Sequence, residues 1–179
     1  MQTEQHTYIF CINSGRSGSQ YLAQLLSSAK GVYSLHEAEP DMSGPFLNMV
    51  FKKGLADTLS ARSVKVQEIR RVVSNLPRSA VYAESNHMFI KTFYDVIMAQ
   101  LDVRSVKVIV LRRHLASVLK SFITMGYFSK RNHAWPSWMH LPGTCDSAFF
   151  PPVLGRKPDQ YELAIGYLID IEARAQRFM

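Results

Sequence analysis

Cysteine is scarce in this sequence. Only two occur in 179 residues, Cys11 inside an apolar run and Cys145 in a stretch that reads as loop. That count rules out a disulfide framework and suits a reducing, cytoplasmic setting. Long apolar runs are missing too: nothing approaches the roughly 18 residues that a membrane span requires. The opening Met1-Gln2-Thr3-Glu4-Gln5-His6 is polar and lacks the layout of a signal peptide. Repeats, low-complexity tracts and zinc-type His/Cys spacings do not occur. Like charges are gathered no further than pairs such as Lys52-Lys53, Arg70-Arg71 and Arg112-Arg113. Without a basic-aromatic stripe or a nucleic-acid module, nucleic acid is not an expected partner, although the net charge is +7. That charge suits a polyanionic small molecule equally well.

The composition that remains, 47% hydrophobic and 20% charged, is that of one globular domain over residues 1–179 with a sizeable core. Thr7 to Ile12 is a β-branched and aromatic run ending in Asn-Ser-Gly, a buried strand followed by a turn. From Ser19 to Lys30, Tyr21, Leu22, Leu25 and Leu26 recur at helical spacing until Gly31. Val32 to His36 and Ala80 to Glu84 read as strands, and 41–75 as mixed helix broken at Gly44-Pro45 and Gly54. A helix is expected over His87 to Leu101, the clearest buried strand over Ser105 to Leu111, and a helix over Leu115 to Met125. Gly126 to Pro158 has no period and is expected to be a lid, a binding loop or a disordered stretch. Asp159 to Met179 is helical, with Ala164, Tyr167, Leu168 and Ile171 on one face. Strands alternating with helices predict an α/β domain with a mostly parallel sheet.

The first strand runs into Asn13-Ser14-Gly15-Arg16-Ser17-Gly18-Ser19-Gln20, where a helix opens. Glycines let the backbone curl so that N–H groups face inward, the helix N-terminus adds partial positive charge, and Arg16 offers a forked cationic contact. The chemistry is that of a phosphate or sulfate site; the bland alternative is a β–α turn with a surface arginine. The loop lacks the lysine and following hydroxyl of the nucleoside-triphosphate signature. It resembles the 5′-phosphosulfate loop of sulfotransferases that use 3′-phosphoadenosine-5′-phosphosulfate (PAPS), and within them the carbohydrate and tyrosylprotein branch. Gln20 stands where that family usually has a second hydroxyl residue. The resemblance implies donor contacts from Ser14, Gly15, Arg16, Ser17, Gly18, Ser19 and Gln20.

Val108 to Phe122 is a strand, a basic turn and a helix. It resembles the family's 3′-phosphate motif, an arginine at a strand end with a serine eight residues on. Arg113 with Ser121 fits; Arg112 with Lys120 is the other register. His114-Leu115 replaces the common Asp-Pro.

Leu35-His36-Glu37-Ala38-Glu39-Pro40 follows the second strand. Ligands of open α/β sheets sit at the carboxyl ends of the strands, so an acidic cluster there is placed to act as a base. The resemblance implies that role for Glu37, with Glu39 in reserve and His36 beside them. Glu84-Ser85-Asn86-His87 ends the third strand and either positions the acceptor or caps a helix, with Ser85 or Asn86 as N-cap. Trp135, Trp138, His133 and His140 are candidates for an aromatic acceptor wall.

The resemblance covers roughly residues 7–140. It implies a three-layer P-loop fold of sulfotransferase and nucleotide-kinase type, with sheet order 2-3-1-4. It also implies PAPS as donor, 3′,5′-adenosine bisphosphate as product, an acceptor hydroxyl or amine, and no metal. The family usually has a further strand and a donor-covering loop after a helix like 159–179, so the expectation is a chain lacking its C-terminal part. A P-loop kinase of a nucleotide or small molecule, and a non-catalytic phosphonucleotide-binding module, are the competing readings.

Overall fold

A computed structural model describes residues 6–141, 143–144, 146–150 and 156–179. Cys145 and the first five residues lie outside them. Four strands, β1 (Thr7–Ile12), β2 (Val32–His36), β3 (Val81–Ser85) and β4 (Val106–Val110), form one sheet in the order β2-β3-β1-β4. Every pairing is parallel: β1 pairs with β3 and β4, and β2 with β3. The expected order and direction are therefore what the fold shows. Parallel strands flanked on both sides read as continuous apolar runs, and central β1 buries Phe10, Cys11 and Ile12.

Helix α1 (Ser19–Ser27) leads from β1 towards β2. Helices α2 (Pro45–Arg62) and α3 (Val64–Val73) join β2 to β3, and Gly54 breaks α2 at φ 84°. Between β3 and β4 the chain departs from the expected single helix. Phe89–Phe93 is a π-helical turn, and only Tyr94–Gln100 (α4) is α-helical. Residues 82–93 are buried without a break. No solvent face imposes the 3.6-residue stripe there, and the wider turn lets Phe89 and Phe93 both meet Phe10, at ring distances of 5.1 and 6.3 Å. Helix α5 (Leu115–Thr124) follows β4. Helix α6 (Gln160–Phe178) opens on a capping box between Asp159 and Glu162 and buries Ala164, Tyr167, Leu168 and Ile171, as its spacing predicts. Among the described residues no helix is long and apolar enough to cross a membrane.

Among its described residues the segment after α5 is irregular apart from a short 3₁₀ turn at Trp135–Ser137. It is not bare: Tyr127, Phe128, Met139 and His140 are buried in it. Phe128 and His140 both pack on Tyr167 of α6, at 5.5 and 5.2 Å.

Two buried lysines lie near the strand ends. Lys65 of α3 donates to Ala38 O, Pro40 O and Glu84 Oε1, the last at 2.7 Å. Glu84 also accepts from Tyr82 Oη and Asn86 Nδ2. This corrects the sequence expectation for Glu84: fully enclosed, it ties α3 to β3 and holds the loop after β2, and it does not face an acceptor.

Candidate functional site

The turn after β1 is set by its own side chains. Asn13 Oδ1 accepts the Gly15 amide at 2.9 Å, and the Ser17 hydroxyl donates to the Gly15 carbonyl at 3.1 Å. Ser14 Oγ lies 2.9 Å from Ser17 Oγ, so both serines are spent within the loop. The backbone takes positive φ at Gly15 (76°), Arg16 (55°) and Gly18 (96°), and α1 begins at Ser19. Gly15 is favoured by its φ, which disfavours a side chain; Met139 Cε and His87 Cδ2 lie over it, 3.4 and 3.6 Å from where a Cβ would stand. No acceptor among the described residues takes the amides of Arg16, Ser17 or Gly18. Unpaired N–H groups ahead of a helix are what an anion site offers.

The second basic motif meets this turn. Arg113 Nη1 donates to Arg16 O at 3.2 Å, and Arg16 Nε donates to Ser121 Oγ at 3.1 Å. Arg113 and Ser121 thus converge on one residue of the loop. The alternative register is occupied elsewhere: Arg112 pairs with Glu172 at 2.9 Å, and exposed Lys120 lines a separate groove with Tyr161.

Beside the loop lies a cleft of about 420 Å³. Its floor is Gly15, Arg16, Gly18, Ser19 and Gln20; His36, Glu37, His87 and Arg113 add the charged and titratable groups, and Tyr127, Trp138 and Met139 form a wall. Glu37 stands at the end of β2 with φ 48°, its amide bonded to Ser85 O of the neighbouring strand. Its Oε1 is 2.7 Å from His87 Nδ1 and 3.7 Å from His36 Nε2. His36 Nε2 is also 3.0 Å from Ser19 Oγ, which links the acidic strand end to the start of α1.

Burial by itself would raise the Glu37 carboxyl. The hydrogen bond from His87, with His36 and Lys91 nearby, outweighs it and holds the group below the usual glutamate range. His87 moves the other way for its class: burial first, then the Lys91 charge, push it down to about 4 against the pull of Glu37. A neutral imidazole beside a carboxylate donates through Nδ1–H, which leaves His87 Nε2 a bare acceptor, buried and without a partner among the described residues. The pair can therefore hold a proton-accepting carboxylate in a fixed orientation.

The other expected residues fall outside this cleft. Glu39 is exposed and two residues beyond the end of the Glu37 contact network. Trp135 does not line the wall: its ring packs 4.8 Å from Phe128 and its Nε1 donates to Ser129 O, while Trp138 takes the place expected of it. His133 is exposed, and His140 is buried against Asp170 at 2.5 Å. Neither Ser85 nor Asn86 is the expected N-cap: the π-helical turn has Met88 in that position without a side-chain cap bond, although Asn86 Oδ1 accepts the Met88 amide just ahead of it. Sequence reasoning placed His87 only within a cap-or-acceptor stretch and passed over Lys91. A histidine at the carboxyl end of a central strand, beside the acidic end of its neighbour, was the available signal. Among the described residues no group of three or more His, Cys, Asp or Glu could hold a metal ion. Comparison with protein-family models, curated proteins and solved structures gave no match.

Proposed function

We propose that this chain is a sulfotransferase of three-layer P-loop type, working in the cytoplasm, that moves a sulfuryl group from PAPS to a hydroxyl or amine. One observation carries the reading: Arg113 and Ser121 meet the Gly15–Ser19 turn at Arg16, and Glu37 shares the same cleft. In the proposed reaction the 5′-phosphosulfate lies against the amides of Arg16, Ser17 and Gly18. Arg113 and Ser121 face the 3′-phosphate. The acceptor oxygen or nitrogen forms a bond to sulfur as the bond from sulfur to the bridging oxygen breaks, and Glu37 takes the acceptor proton. The electron pair leaves with the phosphate of 3′,5′-adenosine bisphosphate, where Arg16 and the loop amides meet the developing charge. His87, which also lines the cleft, holds the carboxylate through Nδ1–H.

Calorimetry with 3′,5′-adenosine bisphosphate and with ATP–Mg²⁺ tests the donor. Binding of the bisphosphate, with ATP–Mg²⁺ much weaker, is the expected result. Preference for ATP–Mg²⁺ overturns it in favour of a kinase. Bisphosphate binding with no transfer of labelled sulfate to any hydroxyl or amine acceptor leaves a phosphonucleotide-binding module.

A further inference from the structure

Lys91 is a buried charged group that the proposed reaction leaves unused. It is 1% exposed, in the π-helical turn. The other enclosed lysine, Lys65, has a carboxylate at 2.7 Å; Lys91 has no carboxylate at ion-pair distance among the described residues. Its Nζ donates instead to the Trp138 carbonyl at 2.6 Å and to Tyr167 Oη at 3.2 Å. Tyr167 Oη in turn donates to the Ser14 carbonyl at 3.0 Å. Burial, and Arg174 next, push the lysine well below its usual range, so this position costs stability. A methionine at 91 and a phenylalanine at 167 would fill the same space without that cost.

The contacts show what is gained. Ser14 O and Gly15 N belong to one peptide unit, and both ends of it are pinned: the carbonyl by Tyr167, the amide by Asn13 Oδ1 at 2.9 Å. The next three amides are the unpaired ones, so this plane sets the direction in which they point. On the other side Lys91 fixes the carbonyl of Trp138, and the following residue, Met139, lies over Gly15.

We infer that Lys91 and Tyr167 are positioning residues for the transfer site, a two-step hydrogen-bond relay that sets the phosphate loop and the Trp138–Met139 wall in register with each other. The inference rests on reading the cleft as that site, and deepens it by naming what aligns donor loop and acceptor wall.

The test uses the full chain as wild type, Tyr167→Phe, Lys91→Met and the double variant. Two things are measured: calorimetric affinity for inorganic pyrophosphate and for 3′,5′-adenosine bisphosphate, and amide exchange at Trp138 and Met139. Tyr167→Phe keeps a ring packed near Phe122, Phe128 and His140 and removes only the hydroxyl. It should weaken pyrophosphate roughly fivefold, the net worth of one hydrogen bond, and speed exchange at Trp138 and Met139. Amide exchange in β1 and β3 should stay at the wild-type rate. Lys91→Met should do the same, and the double variant should be no worse than Lys91→Met, because the two groups act in series. A merely structural role would instead loosen β1 and β3 as well. Wild-type affinity and exchange in Tyr167→Phe, or additive losses in the double variant, overturn the relay. Wild-type protein that binds pyrophosphate but not the bisphosphate defeats the donor assignment and leaves the relay tested. If it binds neither, exchange at Trp138 and Met139 decides the relay alone.

Discussion

Glu37 combines three properties that a base at this site needs. It lines the cleft, the hydrogen bond from His87 fixes one carboxylate oxygen, and that bond first among its surroundings holds the carboxyl below the usual glutamate range. Glu37→Gln keeps an oxygen that can accept from His87 Nδ1–H but removes the ability to take a proton. Sulfate transfer should fall by about 10²–10⁴-fold, the usual reach of general-base catalysis. Affinity for 3′,5′-adenosine bisphosphate should hold within about twofold, since the lost interaction belongs to the transition state. Transfer assays with labelled donor beside calorimetry separate the two. A Glu37→Gln protein that transfers at the wild-type rate removes Glu37 from the mechanism. Arg16 makes the complementary case. Its side chain is exposed apart from the Ser121 contact, so Arg16→Ala should fold normally. Bisphosphate binding should weaken by about 1.5–3 kcal/mol, the range for a charged hydrogen bond; unchanged affinity would take Arg16 out of the donor site.

The strand–turn–helix formed by β4 and α5 contains two adjacent arginines, and the fold separates their tasks. Arg113 turns to the loop carbonyl of Arg16, whereas Arg112 turns to Glu172 of α6. Bisphosphate affinity should therefore drop by about 1.5–3 kcal/mol in Arg113→Ala. Arg112→Ala should change it by less than about 0.5 kcal/mol, because an exposed ion pair is worth little. Equal losses in both would return the register to question. The pairing of Arg113 with Ser121 was legible through its resemblance to a family motif, and a hydroxyl two turns into a helix does lie over its start. The same eight-residue spacing from Arg112 to Lys120 left the register open in the sequence. The sequence also made the strands legible, since buried parallel strands are short apolar runs with turn residues at their ends. It could not show the π-helical turn at Phe89–Phe93: a segment buried on all sides carries no amphipathic stripe, so its period is unmarked. Nor could it say which acids are enclosed. Glu37 and Glu84 end neighbouring strands and look alike in sequence; the difference is Lys65, which reaches Glu84 from a helix 19 residues away in the chain. Trp135 and Trp138 were equivalent for the same reason, until the 3₁₀ turn aimed one at Phe128 and the other at the cleft.

For the molecule as a whole, the enclosed polar groups carry a consequence for folding in acid. His87 and His140 sit in separate networks, one behind Glu37 and one against Asp170, and burial brings both to about 4 from 6.5. A histidine whose folded value is depressed stays neutral in the native state while the unfolded chain takes up a proton. Its contribution is full above the unfolded value and is lost as pH falls towards the folded one. Glu37 and Asp170 are also lowered, the latter because the hydrogen bond from His140 and the Arg174 charge overcome its burial. Their contribution is present above the ordinary carboxylate range of about 4 and is lost only below it. The interval from pH 6.5 to 5 therefore isolates the histidines, since these carboxylates are ionised there in both states. Urea unfolding should show stability falling by on the order of 1–2 kcal/mol per histidine between pH 7.5 and 5. His140→Gln keeps a neutral donor for Asp170, and His87→Gln one for Glu37. The double variant should flatten the interval from 7.5 to 5 and still lose stability below pH 4. A wild-type profile already flat from 7.5 to 5 would mean that the two imidazoles titrate in the native protein as they do in the unfolded chain, so that burial does not hold them neutral. Glu37 would then face an imidazolium below about pH 6, a partner that weakens it as a base there.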